Sequence, residues 1–282
     1  MSNNGELKGV IPALITPINN EGEVDFKELE NHTRYLSSAD VNGFFVGGTT
    51  GEGAYLQTEQ KKEIFKTVRK LVGDRQFLCL ACIKPSSKMV LKEMEELSEL
   101  DPDYLVAVTP FYYNITQEQI YEHFITISNY SPKPLILYDI PGNTHNYISL
   151  DTILRLSKAP NIVGIKSSSG DFISFSRGIL KDNSQFRWIQ GEDYLHGPSL
   201  MFGARGMVTG LGNVRIEPYI DMYAAAQEKD YGRIKVCQLK INRLYEIVSL
   251  SEGNNILAAK AGAAYFGRGS IAMLDSRMTL CP

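Results

Sequence analysis

The sequence predicts an α/β protein whose fold is a (β/α)8 TIM barrel with a C-terminal helical extension. Short apolar runs alternate with amphipathic segments along its 282 residues. The runs are apolar at consecutive positions, as strands are when helices cover the parallel sheet that they form. Eight such units follow one another at roughly even spacing, which favours a closed barrel over an open sheet.

Each predicted strand is a short apolar run of the kind that buried strands show. In chain order the runs are GVIPALIT from Gly9, GFFVGG from Gly43, QFLCLACI from Gln76, YLVAVTP from Tyr104, PLILYDIP from Pro134, NIVGIKSS from Asn161, FRWIQGED from Phe186 and GMVTGLGN from Gly206. All eight lie within residues 1–215, which we assign to the barrel.

The segments between the runs show the three- to four-residue spacing of helices that pack on a sheet. Thr116 and Gln119 also match a capping box at the start of one helix. After the eighth run, helical spacing continues over residues 217 to 245 and again over 255 to 266. We therefore assign residues 216–282 to the last barrel helix and the extension. The spacing is clearest at Phe26, Leu29, Thr33 and Leu36, at Ile64, Phe65, Val68, Leu71 and Val72, and at Ile120, Phe124 and Ile127.

Composition excludes several classes of partner. The chain has 29 Lys and Arg against 32 Asp and Glu, and a net charge of −3. Without a block of basic residues it lacks the electrostatic footprint of proteins that bind nucleic acid or anionic membranes. No stretch approaches the roughly 18 consecutive apolar residues of a membrane span, and no secretion signal is visible. We therefore expect a cytoplasmic protein without a nucleic-acid or membrane partner.

Neither the cysteines nor the histidines predict a metal or redox site. Cys79 and Cys82 form a CxxC, but within a strand their side chains would point to opposite faces, which favours core packing. The histidines show no zinc-binding spacing. We therefore expect no metal and no cofactor. The remaining cysteines and the four histidines are Cys237, Cys281, His32, His123, His145 and His196.

Lys166 is a candidate nucleophile because it ends the sixth apolar run. Active sites of this fold lie at the C-terminal ends of the strands. In that low-dielectric mouth the neutral form of an amine is favoured, and a neutral amine can attack a carbonyl to form a Schiff base. A lysine whose amine pairs with a carboxylate is the alternative interpretation. Lys84, which closes the third run, competes on the same grounds, and local sequence does not separate the two.

Two further strand ends carry polar groups that suit a keto acid. Tyr138 lies in the fifth run, where its hydroxyl could relay protons, although a core tyrosine with a satisfied hydroxyl is the favoured interpretation of this residue by itself. The sequence GGTTGE at residues 47–52 brings backbone NH groups and the hydroxyls of Thr49 and Thr50 close to an anion. It lacks the lysine of a P-loop and the pattern of a dinucleotide turn, so it fits a carboxylate better than a phosphate chain.

Six motifs in this order resemble the dihydrodipicolinate synthase and N-acetylneuraminate lyase family of Schiff-base aldolases. They are PALITP at Pro12, GGTTGE at Gly47, TPFYY at Thr109, YDIP at Tyr138, GIKSSSGD at Gly164 and QGED at Gln190. The resemblance covers nearly the whole chain. It implies a (β/α)8 barrel with a C-terminal helical extension, assembled as a homotetramer built from two dimers, that acts on pyruvate or another 2-keto acid together with an aldehyde.

The resemblance also implies residue roles. Lys166 would form the imine and Tyr138 would transfer protons, while Thr49 and Thr50 would hold the keto acid carboxylate and orient the tyrosine. Tyr112 matches a tyrosine that family members insert into the active site of the neighbouring subunit. The positions that contact sugar hydroxyls, and the one where backbone faces the imine, match Ser168, Gly191, Asp193 and Gly210.

Departures from the family patterns narrow the substrate. Dihydrodipicolinate synthases usually carry an arginine at the position of Asn143, and N-acetylneuraminate lyases a glutamate at that of Tyr194. The chain looks most like archaeal-type 2-keto-3-deoxygluconate aldolases. Some of those use an arginine and a tyrosine to assist a phosphorylated substrate, where this chain has Ile115 and Ile140, which implies preference for the unphosphorylated sugar acid.

The resulting hypothesis is reversible aldol cleavage of 2-keto-3-deoxygluconate to pyruvate and glyceraldehyde, with the galactonate epimer as a second substrate candidate. Dihydrodipicolinate synthase and N-acetylneuraminate lyase activities are the enzymatic alternatives. A catalytically idle barrel that binds a keto acid as a sensor is the non-enzymatic alternative.

Overall fold

Eight parallel strands form the predicted barrel in the computed structural model, which describes residues 6–182 and 185–274. Neighbouring strands in the sheet follow one another in sequence, and β1 pairs with β8. A parallel bridge between Ala13 and Phe45 joins the two remaining edges, so the (β/α)8 prediction is confirmed. The strands are β1 (Gly9–Pro12), β2 (Gly43–Val46), β3 (Phe77–Cys82), β4 (Tyr104–Val108), β5 (Leu135–Asp139), β6 (Ile162–Ser167), β7 (Arg187–Gln190) and β8 (Gly206–Thr209).

Helices cover the outside of the barrel and continue beyond it. Thr116 and Gln119 form the predicted capping box, in which each side chain accepts a hydrogen bond from the other residue's backbone NH. The helical segment at 217 to 245 is divided at Lys229, whose φ is +59°, and Asp230 caps the helix that follows. The helices are α1 (Phe26–Ser38), α2 (Thr58–Val72), α3 (Ser87–Glu96), α4 (Gln117–Tyr130), α5 (Pro141–Thr144), α6 (Leu150–Leu156), α7 (Phe172–Lys181), α8 (His196–Met201), α9 (Glu217–Glu228), α10 (Tyr231–Leu244), α11 (Glu246–Leu250) and α12 (Asn255–Tyr265).

The apolar core has an inner and an outer layer. One cluster fills the barrel interior, and a larger one lies between the strands and the helices. Cys79 belongs to the inner layer and Cys82 to the outer one, as strand alternation predicts. Burial raises the pKa of both thiols, that of Cys82 to about 12, so they pack as small apolar side chains. Cys281 lies outside the described residues.

The extension closes over one side of the barrel mouth. A third apolar cluster joins α11 and α12 to the loops that follow β1 and β8, through residues that include Ile15, Leu211 and Ala259. Within the described part of the chain, no helix is both long and apolar enough to cross a lipid bilayer.

Strand β6 carries one residue more than its neighbour β5. Leu135 pairs with Ile162, but the next pair joins Ile136 to Gly164, which leaves Val163 without a partner in the ladder. Such a bulge interrupts the alternation of side chains along the strand. From Gly164 onward, every side chain of β6 is therefore directed to the face opposite the one that regular alternation would give it.

The bulge decides the direction of the lysine at the end of the strand. Ile162 packs in the outer layer, and regular alternation from it would turn Lys166 outward as well. Instead Ile165 packs in the outer layer, and Lys166 points into the barrel beside Tyr138, its partner in the ladder.

We expect Gly164→Ala to lower the free energy of unfolding by about 1–3 kcal/mol, the usual range for overpacking in a core. An added methyl group would lie 2.6 Å from the backbone oxygen of Arg187, and a backbone atom cannot move aside as a side chain end can. Denaturant unfolding measures the loss. Gly232→Ala in α10 is the matched control, because its nearest neighbour would be 3.5 Å away, and we expect no loss there. Equal stability of the two variants would contradict the prediction.

Candidate active site

A cavity of about 270 Å3 opens at the C-terminal ends of the strands, where the fold leads us to expect an active site. Every site residue predicted from the sequence lines this cavity except Tyr112. The residues that do so are Thr49, Thr50, Tyr138, Lys166, Ser168, Gly191, Asp193 and Gly210. Residues far apart in the chain thus meet at one site.

Lys166 extends from the end of β6 between two aromatic rings. Its Nζ lies 3.9 Å from the centroid of the Tyr138 ring and 4.5 Å from that of Phe45, and the residue is only 5% exposed. Among the described residues, no carboxylate oxygen lies within 4.0 Å of this amine. The alternative interpretation, a lysine held in an ion pair, therefore does not apply to it.

Lys84 follows β3, and its amine faces the helices outside the barrel. Its Nζ is 3.3 Å from Glu93 Oε1, and the same oxygen accepts a hydrogen bond from buried Lys61 at 2.7 Å. Glu93 and Lys61 both belong to helices outside the barrel. Lys84 is thus an ion-pair lysine, and the structure separates the two candidates that local sequence left open.

Tyr138 is a buried residue whose hydroxyl faces the loop after β2. The two hydroxyl oxygens of Tyr138 and Thr49 lie 3.3 Å apart, which is a long hydrogen bond. Phe45 contacts the tyrosine ring edge-to-face at 5.7 Å and fixes its plane. The tyrosine therefore combines a packed ring, as the core interpretation expects, with a hydroxyl at the cavity.

The loop at residues 47–53 folds tightly enough to present both threonines. Gly47 adopts a φ of +67°, which favours glycine. Gly53 donates its NH to Gly48, and a methyl group at Gly53 would lie 1.7 Å from the Gly47 oxygen. After β8, a methyl group at Gly210 would lie 3.2 Å from Thr50 Oγ1. The absence of side chains at Gly53 and Gly210 therefore lets the loop fold tightly and lets the backbone at position 210 approach the hydroxyl of Thr50.

Gly191 gives Lys166 the room to enter the cavity. A methyl group at position 191 would lie 2.9 Å from Lys166 Cε and 2.3 Å from Ser168 Oγ. The backbone NH of Gly191 donates to Ser167 at 2.7 Å, which holds the glycine against β6. A side chain at this position would therefore displace the amine.

Asp193 is a buried carboxylate with one oxygen fully engaged. Its Oδ1 accepts hydrogen bonds from Thr209 Oγ1 at 2.7 Å and from Tyr219 at 2.5 Å, and His196 Nε2 lies 3.6 Å away. Burial raises the pKa of Asp193, but these three contacts outweigh burial and hold the pKa below its usual range. Its Oδ2 has no hydrogen-bond partner among the described residues and is the oxygen available to a ligand.

Part of the cavity wall comes from residues that sequence reasoning did not assign to the site. Glu192 lines the cavity, and burial together with the nearby Asp193 raises its pKa. Tyr245 and Asn255 of the extension also line it, and the tyrosine hydroxyl donates to Asn255 Oδ1 at 3.2 Å. Glu192 stands inside the QGED motif, which was a usable signal. No local pattern showed that the extension would fold back over the mouth.

Tyr112 is not part of the cavity of its own chain. It is 82% exposed, and its backbone has a φ of +80°, which is unfavourable for tyrosine. Its ring contacts Tyr113 edge-to-face at 5.0 Å. The predicted role of Tyr112 in a neighbouring subunit stays a prediction.

Behind the cavity, Asp139 joins β5 to β6 on the outer face of the barrel. It pairs in the ladder with Ser167, which donates to it at 3.4 Å, and accepts a hydrogen bond from the NH of Ile148 at 3.0 Å. Burial outweighs these bonds and raises the pKa of Asp139 to about 6. Within residues 6–182 and 185–274, no three His, Cys, Asp or Glu side chains are arranged to hold a metal ion.

Comparison with known proteins identifies the family. A model of the dihydrodipicolinate synthetase family matches residues 6–274. The chain is 29% identical over 228 residues to the 4-hydroxy-tetrahydrodipicolinate synthase of Corynebacterium aurimucosum. The aligned residues make up 81% of this chain and 75% of that relative. The chain therefore belongs to this family, whose members are pyruvate-dependent class I aldolases and lyases, and the resemblance at family level is confirmed.

Solved structures agree with this assignment. The dihydrodipicolinate synthase of Acinetobacter baumannii, complexed with pyruvate, matches with a TM-score of 0.89 and 29% identity over 94% of this chain and 90% of that one. CdNal from Clostridium difficile, complexed with mannosamine, matches with a TM-score of 0.87 and 25% identity over 96% and 92%.

We expect Asp139→Asn to flatten a pH dependence of stability. Because the folded pKa of about 6 exceeds the ordinary 3.8, the folded state binds a proton between these values that the unfolded state does not. The contribution of Asp139 is therefore fully present below about pH 4 and is lost as the pH rises through 6. The loss is up to about 3 kcal/mol, and the difference between wild type and Asp139→Asn in denaturant unfolding from pH 4 to 7 measures it.

Asp221→Asn is the control for this measurement. A hydrogen bond from Arg233 lowers the pKa of Asp221, so its contribution has the opposite sign and is lost as the pH falls. If the free energy of unfolding changed with pH in the same way in wild type and in Asp139→Asn, the pH dependence would not come from Asp139 and the prediction would be wrong.

Proposed function

We propose that this member of the dihydrodipicolinate synthetase family reversibly cleaves 2-keto-3-deoxygluconate to pyruvate and glyceraldehyde through a Schiff base on Lys166. The galactonate epimer is a second substrate candidate, and a cytoplasmic setting remains part of the proposal. The observation that carries it is the combination of an unpaired amine, a tyrosine hydroxyl and two threonine hydroxyls at one cavity.

The chemistry follows from these groups. The neutral amine of Lys166 attacks the C2 carbonyl, the former carbonyl oxygen takes up protons and leaves as water, and a protonated imine that withdraws electrons remains. The Tyr138 hydroxyl receives the proton of the C4 hydroxyl as it passes its own proton to solvent, the C3–C4 bond breaks, and the electron pair of that bond forms an enamine. Glyceraldehyde leaves, C3 takes up a proton, and water hydrolyses the imine to release pyruvate. Thr49 and Thr50 would hold the keto acid carboxylate by hydrogen bonds.

The charge of the cavity supports a substrate whose only anionic group is the 2-keto acid carboxylate and whose remaining carbons carry neutral hydroxyl groups. Lys166 has the only basic side chain among the described residues that line it, whereas Glu192 and Asp193 are acidic and Asn143 is neutral. A second carboxylate or a phosphate would lack the charge-assisted partner that such groups bind best. Hydroxyl groups can instead bind Asp193 Oδ2, Ser168 and the Tyr245–Asn255 pair.

Condensation of pyruvate with aspartate semialdehyde is the second candidate. The name of the Corynebacterium relative favours it, because that protein is a 4-hydroxy-tetrahydrodipicolinate synthase. An amide such as Asn143 cannot replace the two parallel hydrogen bonds of a guanidinium to the second carboxylate. The cavity therefore favours the first candidate.

Assembly is also part of the proposal. Phe111 lines an adjoining cavity of about 260 Å3 that shares Thr49 and Asn143 with the main one. The next residue, Tyr112, is exposed in a strained backbone conformation. These features support an arrangement in which Tyr112 reaches the site of a neighbouring subunit, and the homotetramer made of two dimers rests on the family resemblance.

We expect pyruvate with borohydride to attach covalently to Lys166, because borohydride reduces an imine to a stable amine. Mass spectrometry of peptides identifies the residue. Lys166→Ala should give no adduct, and Lys84→Ala should react as wild type does. Tyr138→Phe should still be trapped but should lose about 100-fold or more in turnover, the usual contribution of an acid–base group. A wild-type protein without an adduct would refute the aldolase and leave the keto-acid sensor.

We expect 2-keto-3-deoxygluconate to be cleaved faster than its 6-phosphate or N-acetylneuraminate at equal enzyme concentration. Pyruvate release measures cleavage, and condensation with aspartate semialdehyde is assayed beside it. Asn143→Arg should shift the ratio of kcat/KM about tenfold toward the phosphorylated substrate, because it supplies a charged donor. Condensation faster than every cleavage reaction would favour the second candidate instead.

A further inference from the structure

A buried ion pair links the loop that carries Thr49 and Thr50 to the extension. Glu52 belongs to this loop, and its Oε1 contacts the amine of Lys260 in α12. Both side chains are fully buried. The second carboxylate oxygen of Glu52 accepts a hydrogen bond from the NH of Leu274 at 2.7 Å. The carboxylate is therefore bound at both oxygens by the C-terminal part of the chain.

The backbone of Glu52 determines the position of the loop. Its NH donates to the carbonyl oxygen of Thr49 at 3.0 Å and closes a turn over Thr50 and Gly51. Its φ is +56°, a left-handed conformation that glutamate rarely adopts without tertiary contacts that hold it. Thr16 adds a hydrogen bond to the Gly51 oxygen at 2.7 Å. The turn thus depends on contacts of the Glu52 side chain outside the loop.

Lys260 lies on the helix face that also reaches the cavity. Ile256 lines the cavity one turn earlier in α12, and residues four apart share a face of a helix. The same face therefore forms one wall of the cavity and, through Lys260, anchors the loop that forms another. No part of this ion pair is needed for the steps at Lys166 and Tyr138.

We infer that Lys260 and Glu52 are positioning residues that set the two threonine hydroxyls for the carboxylate of the keto acid. The inference rests on the proposed function, since it assigns the threonines to that carboxylate. A buried pair that only stabilised the fold would affect the unfolding temperature alone. A positioning pair also affects the affinity for pyruvate, and it leaves the rate of borohydride trapping at saturation unchanged because that reaction does not require Tyr138, which contacts Thr49.

Lys260→Met tests this inference, because methionine keeps an unbranched chain of similar length and removes the charge. The readout is the pyruvate concentration that gives half of the maximal borohydride trapping, together with the trapping rate at saturation. We expect the half-saturating concentration to rise about tenfold, the effect of losing a hydrogen bond to a charged group. The rate at saturation should change less than about twofold. Glu52→Gln keeps an oxygen that can accept the hydrogen bond of Leu274, and it should raise the half-saturating concentration as well. This second variant tests the inference if Lys260→Met does not fold.

Lys61→Met is the matched control, because Lys61 is equally buried in an ion pair with Glu93 and Glu93 keeps Lys84 as a partner. We expect it to lower the unfolding temperature without changing the half-saturating concentration. The inference would be overturned if the Lys260 and Glu52 variants kept the wild-type half-saturating concentration, or if the Lys61 variant raised it equally. Either result would leave the proposed function standing. Wild-type protein that is not trapped by pyruvate would overturn the proposed function, and the inference with it.

Discussion

A closed barrel of parallel strands leaves little room for a polar side chain on its inner face. Inward side chains lie in a dry interior, where an amine without a partner is costly, except at the ends of the strands where the interior meets water. Lys166 occupies such an end. Its inward direction depends on the bulge at Val163, and its space depends on the missing side chain of Gly191. The rest of the cavity is arranged around that amine.

Much of the fold could be predicted because local patterns determine it. All eight strands lie within the apolar runs, and the capping box at Thr116 begins α4 at the expected residue. The break at Lys229 was not predicted, because a single residue with positive φ leaves no clear mark on helical spacing.

The sequence predicted the part of the site that the strand ends form, but it did not predict the part that the C-terminal extension forms. Lys166 and Lys84 each follow an apolar run, so only the side-chain direction separates them, and a bulge changes that direction without changing apolar composition. Tyr245 and Asn255 reach the cavity through packing between distant segments. Such packing depends on the shapes of both surfaces, which the spacing within either segment does not encode.

The division of the cavity wall between strand ends and extension also bears on how such a barrel diverges. The lysine and the tyrosine lie on paired strands of the sheet, where their side chains pack together at the inner face of the barrel. Tyr245 and Asn255 belong to a separate stretch of chain that contributes nothing to that sheet. Descendants of one ancestral barrel can therefore exchange these two side chains, and reshape the cavity, while inheriting the strands unchanged.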